Sequence, residues 1–443
     1  MKSTKYKRPP RKMSPYMVLI LSFLGVILLG SVLLSLPIAT YEGIHLSYLD
    51  ALFLSTSASC VTGLSTVPSI NDTFTIFGKV VFVVLMEIGG VSIVTLASFL
   101  LVVFGKKMGI SSRIFLTNAL NQNSQKGIIN LLKQIVKISF IIQVVFIIIN
   151  FFILHKYYPN LWENLGVAIF HTASSFNNAG FDIFGDSSMV AFHTDFWLNM
   201  STMAMIVVGG LGFIVLLDIV SLPWRKSLSF HSKIVLLVTS ILILVPAVIF
   251  RLTMNVSWLE SFFTSITART AGFSTVSFSE VMRETPSYPL MLVLMFIGAS
   301  PGSTGGGIKT TTFFTILVTI VYAIFGKKPK AFKRSISEES ILKSLTLIML
   351  SVTYIIVLIM GLKAFEPSMS YNDLVFEAFS AFGTVGVSMG ITPFLSMGSK
   401  ILICITMFVG RLGPLTFVSF WGNNFMQESS TNVRYLEEKI IIG

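Results

Sequence analysis

Four short polar turns carry the chemistry that this sequence offers: Cys60-Val61-Thr62-Gly63, Asn177-Asn178-Ala179-Gly180, Arg269-Thr270-Ala271-Gly272 and Gly383-Thr384-Val385-Gly386. A cation leaving water needs oxygen ligands, and successive backbone carbonyls aimed at one axis can supply them. Pointing neighbouring carbonyls the same way takes unusual dihedrals, and glycine reaches positive φ without steric penalty. Thr62, Asn178, Thr270 and Thr384 add polar support beside such a path, and Cys60 reads as a small packing residue that leaves its carbonyl available. One glycine in a loop is ordinarily a plain turn, but these four are in register. Phe53, Phe170, Phe262 and Phe376 stand ten residues before them, and Ser57, Ser174, Ile266 and Ser380 six before. A small-residue step follows each turn: Gly89-Gly90, Gly209-Gly210, Gly298-Ala299 and Gly410-Arg411. The glycines are 117, 92 and 114 residues apart, so a unit repeated four times can surround an axis.

The apolar stretch that each turn ends is roughly 13–15 residues long, too short to cross a bilayer. Irregular backbone at membrane depth is tolerated only where protein buries it or where it lines a cavity, so the turns are expected to face the axis. Each unit reads as outgoing helix, half-membrane re-entrant helix, turn and returning helix. The helices are expected at 16–37, 48–60 and 74–104; 132–154, 163–177 and 196–220; 233–251, 258–269 and 288–325; and 341–364, 371–383 and 398–421. The C-terminal end of each short helix aims partial negative charge at its turn, and Asp50, Glu260 and Asp373 suit the opposite end of that dipole. The fold class predicted is an all-α polytopic membrane protein with eight spanning helices. Units 16–104, 132–220, 233–325 and 341–421 are joined by loops 105–131, 221–232 and 326–340, between a basic N-terminus (1–15) and a tail (422–443).

Composition agrees. Of 443 residues 53% are hydrophobic and 12% charged, and mean hydropathy is +0.81; soluble domains carry about a quarter charged residues. The net charge of +12 does not indicate nucleic acid, because the basic residues cluster at 2–12, 106–137, 225–233, 327–343 and 434–439. Alternate connections carry acids: Glu42 and Asp50; Glu163, Asp182, Asp186 and Asp195; Glu260, Glu280 and Glu284; Glu366, Asp373 and Glu377. Cytoplasmic loops retain positive charge, so the basic segments and both termini are expected inside a cell membrane and the turns outside. Attraction to anionic lipid heads explains the same clusters. The apolar stretch 16–36 is too long for a signal h-region and no A-x-A site follows, so it reads as a retained first helix. Cys60 and Cys404 suggest neither a disulfide framework nor a zinc site, and the five histidines have no ligand spacing.

The third returning segment is interrupted by Gly298-Ala299-Ser300-Pro301-Gly302-Ser303-Thr304-Gly305-Gly306-Gly307-Ile308-Lys309. Pro301 removes a backbone donor and the glycines disfavour a helix, so no regular helix runs through. It reads as an intramembrane loop beneath the turns and a movable constriction, in which Ser303 and Thr304 tolerate water. A Walker A cradle is not met: Ile308 separates the last glycine from Lys309, and no strand precedes. Arg411 replaces the small residue of the fourth step, at a depth where an unpaired charge costs several kcal/mol. The expectation is a positive charge that raises the barrier to cations and holds the glycine loop. Glu87 pairs with Arg411 or Lys309, or is protonated and silent, or is turned to a neighbouring helix. Lys309 is a contact of the loop or an anchor near the cytoplasmic side. Arg269 sets the electrostatics of the outer mouth or forms a salt bridge that steadies its turn.

Through the four turns, GASPGSTGGGIKTT (298–311) and FVGRLGPLTF (408–417), the chain resembles the Ktr/Trk/HKT superfamily of potassium transporters over nearly all its length. Eight spanning helices without an extra N-terminal pair look most like the KtrB-type membrane subunits of bacteria. The resemblance implies four M1–P–M2 repeats (outgoing helix, pore helix, returning helix) about a pseudo-fourfold axis. Along that axis K⁺ would pass, held by backbone carbonyls of the four turns and gated by the glycine loop with a gate-associated Arg411. It further implies a homodimer with one pore per protomer, Na⁺ as a possible modulator, and no covalent cofactor. A cytosolic ring of KtrA-type subunits would bind the nucleotide that this chain does not. In related HKT proteins a Ser at the first filter position goes with Na⁺ permeation; Gly63 matches the K⁺-type pattern. A single glycine per turn, rather than the TVGYG string of K⁺ channels, predicts a shorter filter with looser selectivity.

Gated K⁺ uptake down its gradient is therefore the expectation. Obligate Na⁺- or H⁺-coupled symport needs membrane-embedded carboxylates, and Glu87 is the only clear one. A membrane enzyme needs a water-facing cluster such as HExxH or a Ser–His pair with an acid, and none is visible. A non-transporting receptor leaves four registered turns unexplained. The basic loops 106–137 and 327–343 are long enough to dock a cytosolic ring, and the apolar end 439–443 would prefer an interface.

Overall fold

The computed structural model describes residues 15–91, 95, 127–185, 188–283 and 285–413. The expected basic N-terminus, most of loop 105–131 and the tail 422–443 lie outside them.

Helix α1 (Pro15–Leu34) leads to a short α2 (Tyr48–Ser59), a turn, the one-turn α3 (Ile70–Thr73) and α4 (Ile76–Val91). The same order of long helix, short helix, turn and returning helix recurs in α5 (Ile128–Leu154), α6 (Leu161–Asn177) and α7 (Phe196–Leu211), which α8 (Phe213–Arg225) continues. Next come α9 (Phe230–Thr253), α10 (Trp258–Thr267), the one-turn α11 (Phe278–Val281), and a split pair, α12 (Tyr288–Phe296) and α13 (Thr310–Ile324). A two-stranded hairpin, Lys330–Ala331 with Arg334–Ser335, precedes α14 (Glu338–Phe365), α15 (Tyr371–Gly383) and α16 (Met397–Leu412).

Polar caps start three of the short helices. Ser47 accepts from Asp50 N at 3.1 Å, Asn160 from Trp162 N at 3.1 Å, and Ser257 forms a capping box with Glu260, each satisfying amides that the first turn leaves free. Asp50, Glu260 and Asp373 lie in the first turns of α2, α10 and α15, as the helix dipole favours. Asp50 also pairs with Lys400 and Asp373 with Arg283, each at 2.8 Å. Of the registered phenylalanines, Phe53, Phe170 and Phe376 are buried, while Phe262 is half-buried with its ring 6.3 Å from that of Trp258. They are packing groups between helices.

The small-residue steps explain how the returning helices approach the short ones. A Cβ on Gly89 would collide with Ser59 O, one on Gly209 with Phe176 O and one on Gly410 with Phe382 O. Each of these carbonyls stands four residues before the glycine of its turn.

Met17–Leu34 of α1, together with α5, α9 and α14, are long and apolar enough to cross a membrane; α7 and α8 qualify only together, with a bend of 99° between them. Eight unbroken spans are thus not what the described residues contain. The straight helix expected over 196–220 breaks at Gly212, and that expected over 398–421 stops at Gly413, with 414–421 outside the described residues. The two glycines share one conformation, φ 92° and ψ 140° at Gly212 against φ 84° and ψ 138° at Gly413, which side chains disfavour. At Gly212 the cause is tertiary. Phe213 N donates to Gly302 O at 2.9 Å, and a Cβ on Gly212 would stand 2.7 Å from Pro301 O. The kink of the second returning helix is built against the break in the third.

Candidate ion-binding turns and the loop beneath them

Each turn has two residues in the left-handed region, at the glycine and two positions before it. The pairs are Val61 and Gly63 (φ 56° and 100°), Asn178 and Gly180 (59° and 70°), Thr270 and Gly272 (84° and 82°), and Thr384 and Gly386 (50° and 94°). Three of the four non-glycine residues are β-branched, for which positive φ is strained by about 1–3 kcal/mol. The same strain at the same register in all four turns marks a conformation that the surroundings impose. Glycine alone was the expected carrier of positive φ; the paired position escaped because Val and Thr do not announce it.

The serines six residues before the glycines act in two turns: Gly63 N donates to Ser57 Oγ, and Gly386 N to Ser380 Oγ, both at 3.1 Å. In the third turn, where Ile266 stands there, Thr267 Oγ1 donates to Phe273 O at 2.6 Å. Ser174 Oγ is buried without a hydrogen-bond partner.

The four turns meet in cyclic order. A Cβ on Gly63 would stand 2.6 Å from Ala179 O, one on Gly180 2.7 Å from Ala271 O, and one on Gly272 2.8 Å from Val385 O. One on Gly386 would overlap Thr62 O and close the ring. Each glycine therefore faces the carbonyl just before the glycine of the next turn. Glycine is required there both by its φ and by the space. Behind the ring, Asn178 and Thr270 are hydrogen-bonded at 3.1 Å, with the Asn178 amide oriented to donate to Ser175 O and Ile206 O. Thr62 Oγ1 is buried without a partner.

The glycine loop lies against this ring and touches the second, third and fourth units. Ser300 N donates to Gly210 O at 3.0 Å and Thr304 N to Gly209 O at 3.3 Å; Gly306 N donates to Thr384 Oγ1 at 3.0 Å. A Cβ on Gly305 would collide with Thr270 Oγ1. Internally, Ser303 Oγ donates to Ser300 O at 2.6 Å and Thr310 Oγ1 to Ser300 Oγ at 3.0 Å, while Ile297 and Ile308 form a β-bridge across the loop's mouth. Lys309 Nζ donates to Gly305 O (2.7 Å) and Gly306 O (3.3 Å), both within the loop. Arg411 spans further: Nη1 donates to Thr304 O, and Nη2 to Gly89 O and to Gly90 O, the last at 3.3 Å. Gly298, Ala299, Pro301, Gly302 and Gly307 complete the loop.

Glu87 pairs with neither Arg411 nor Lys309. It accepts from Gln143 Nε2 at 3.1 Å and from Asn177 Nδ2 at 2.8 Å, so it is turned to α5 and to the residue that opens the second turn. Arg269 is buried, its Nε has no hydrogen-bond partner, and among the described residues no carboxylate forms an ion pair with it. The salt bridge expected as one alternative is not among them. Sequence reasoning passed over Gly212 and Gly413, although both stand three residues after the first glycine of their steps. It also passed over Gln143, which no motif marks.

The chain is similar to known proteins over nearly all its length. The family model described as TrkH, cation transport protein, matches residues 1–255 and 227–428. The Ktr system potassium uptake protein B of Bacillus subtilis (strain 168) is 36% identical over 448 residues, covering 98% of this chain and 97% of that protein. The potassium/sodium uptake protein NtpJ of Enterococcus hirae is 36% identical over 454 residues, covering 99% of each. The crystal structure of the potassium transporter TrkH from Vibrio parahaemolyticus matches with a TM-score of 0.71 over 94% of this chain and 88% of that one; at 17% identity this is a likeness of fold.

Proposed function

The chain belongs to the TrkH family of cation transport proteins, and from that premise we propose that it is the potassium-translocating membrane subunit of a Ktr-type uptake system. The observation that carries this reading is the closed ring of four glycine turns, each facing the carbonyl of the next. Backbone carbonyls of residues 60–63, 177–180, 269–272 and 383–386 replace the hydration shell of K⁺, and the C-terminal ends of α2, α6, α10 and α15 add partial negative charge. In this reading the four sets of helices are M1–P–M2 units about a pseudo-fourfold axis, each returning segment counting as a crossing despite its breaks. Residues 298–309 are the gate, held shut by Arg411 and stiffened by Lys309.

The names of the relatives support K⁺ as the ion, and that of the Enterococcus protein supports a part for Na⁺. "Ktr system" supports a multi-component assembly, which we take to be a homodimer in the cell membrane, with cytoplasmic termini and a cytosolic ring of KtrA-type subunits that binds the nucleotide.

The test is uptake of radiolabelled Rb⁺ and Na⁺ into liposomes holding this chain, with a nucleotide-binding partner added. Wild type is expected to pass Rb⁺ in preference to Na⁺. Gly63→Ser puts a side chain at φ 100° and 2.6 Å from Ala179 O, and should lower the Rb⁺/Na⁺ ratio by about tenfold, the scale of that strain. A wild-type protein that passes neither ion would sink the reading.

A further inference from the structure

The residue two positions after each glycine is Ser65, Asp182, Ser274 or Ser388, and in all four units its side-chain oxygen accepts from the amide two residues further on. Those amides are Val67 N at 3.1 Å, Phe184 N at 3.2 Å, Val276 N at 3.3 Å and Gly390 N at 2.8 Å. The hydroxyl protons are used differently. Ser65 donates to Val67 O at 2.7 Å and Ser274 donates to Val276 O, so the first and third turns close on themselves. Ser388 instead donates to Glu377 Oε1, on the short helix α15. Thr392 Oγ1 donates to the same oxygen at 3.0 Å. Glu377 is 1% exposed, and its Oε2 is buried without a partner. Nine residues before the glycine in the other units stand Leu54, His171 and Phe263; of these only His171 is polar, and its ring nitrogen bonds Thr202 at 2.8 Å rather than its own turn.

We propose that Glu377 is a positioning residue that fixes the outer part of the fourth turn through Ser388 and Thr392, and so sets the cation preference of that side of the ring without touching the ion. A buried carboxylate is costly unless its hydrogen bonds are worth having; here two hydroxyls that the other units employ locally, or lack, are committed to it. The inference rests on the pore reading above.

The test is the Rb⁺/Na⁺ uptake ratio of the full chain in liposomes, for wild type, Glu377→Ala, Ser388→Ala, the double variant and Glu377→Gln. Glu377→Ala and Ser388→Ala should each lower the ratio by about fivefold, the scale of one net hydrogen bond. The double variant should lower it no further, because the pair acts as a unit. Glu377→Gln keeps an amide oxygen for both hydroxyls and should hold the ratio near wild type. A ratio unchanged in both alanine variants, or two effects that multiply in the double, overturns the inference while the pore reading stands. Should Glu377→Ala not fold, Ser388→Ala with an unchanged ratio overturns it alone. A wild type without selective uptake removes the pore reading and this inference with it.

Discussion

Arg411 is a half-buried cation whose hydrogen bonds go to backbone carbonyls, at Thr304 in the loop and at Gly89 and Gly90 in the first unit. Its fork can grip two elements at once, which a lysine ammonium cannot do with the same geometry. Hydrogen bonds to a charged group net about 1.5–3 kcal/mol each, so Arg411→Ala should weaken the hold on the loop by about 3 kcal/mol. Rb⁺ uptake should then rise about tenfold or more, with Arg411→Lys between the two. An unchanged uptake rate in a folded variant would assign the loop's closure to Gly306, Ser300 and Thr304 amides instead. Arg411 was legible in the sequence because a charge interrupts a pattern of small residues. The partners of Glu87 were not: Asn177 and Gln143 are 90 and 56 residues away, and only the packing of α4 against α5 and α6 brings them near.

At the scale of elements, the long and short helices were legible because apolar runs and polar caps are local signals; α15 begins and ends where its sequence predicts, at Tyr371 and Gly383. The kink at Gly212 was not, since 196–220 contains no proline and its break is decided by carbonyls from residues 301 and 302. The kink therefore makes a stability prediction. Gly212→Ala places a Cβ at φ 92° and 2.7 Å from Pro301 O, and should destabilise the protein by about 1–3 kcal/mol. Gly25→Ala, in α1 with open space around it, should be neutral or stabilising by up to about 1 kcal/mol. Thermal melting of the purified protein in detergent compares the two; equal melting points would mean that the second returning helix straightens freely.

At the scale of the whole molecule, polar contacts tie the segment after α5 to the start of α7. Asp195 caps α7 through Leu198 N at 3.3 Å, accepts from Tyr157 OH at 2.9 Å and pairs with Lys156 at 2.7 Å. Burial pushes this carboxyl up, but the hydrogen bonds of Lys156 and Tyr157 outweigh it and hold Asp195 below the usual carboxylate range. A group whose folded pKa is depressed stabilises the fold above its unfolded pKa, about 3.9, and loses that contribution as pH falls through the folded value. The melting temperature of wild type should accordingly fall more steeply than that of Asp195→Asn on acidification below about pH 4. Parallel acid limbs would show that these Asp195 contacts add nothing.

The ring of turns has a genetic consequence. In an assembly of four identical chains one codon changes every side of such a ring, and each change is made four times over. Here each side is written separately, so a substitution reaches one side while three keep their old chemistry. The fourth turn, with Ser388 bound to Glu377 where Ser65 and Ser274 close on themselves, already differs from its neighbours. On the proposed pore reading, ion preference on this scaffold can drift by quarters.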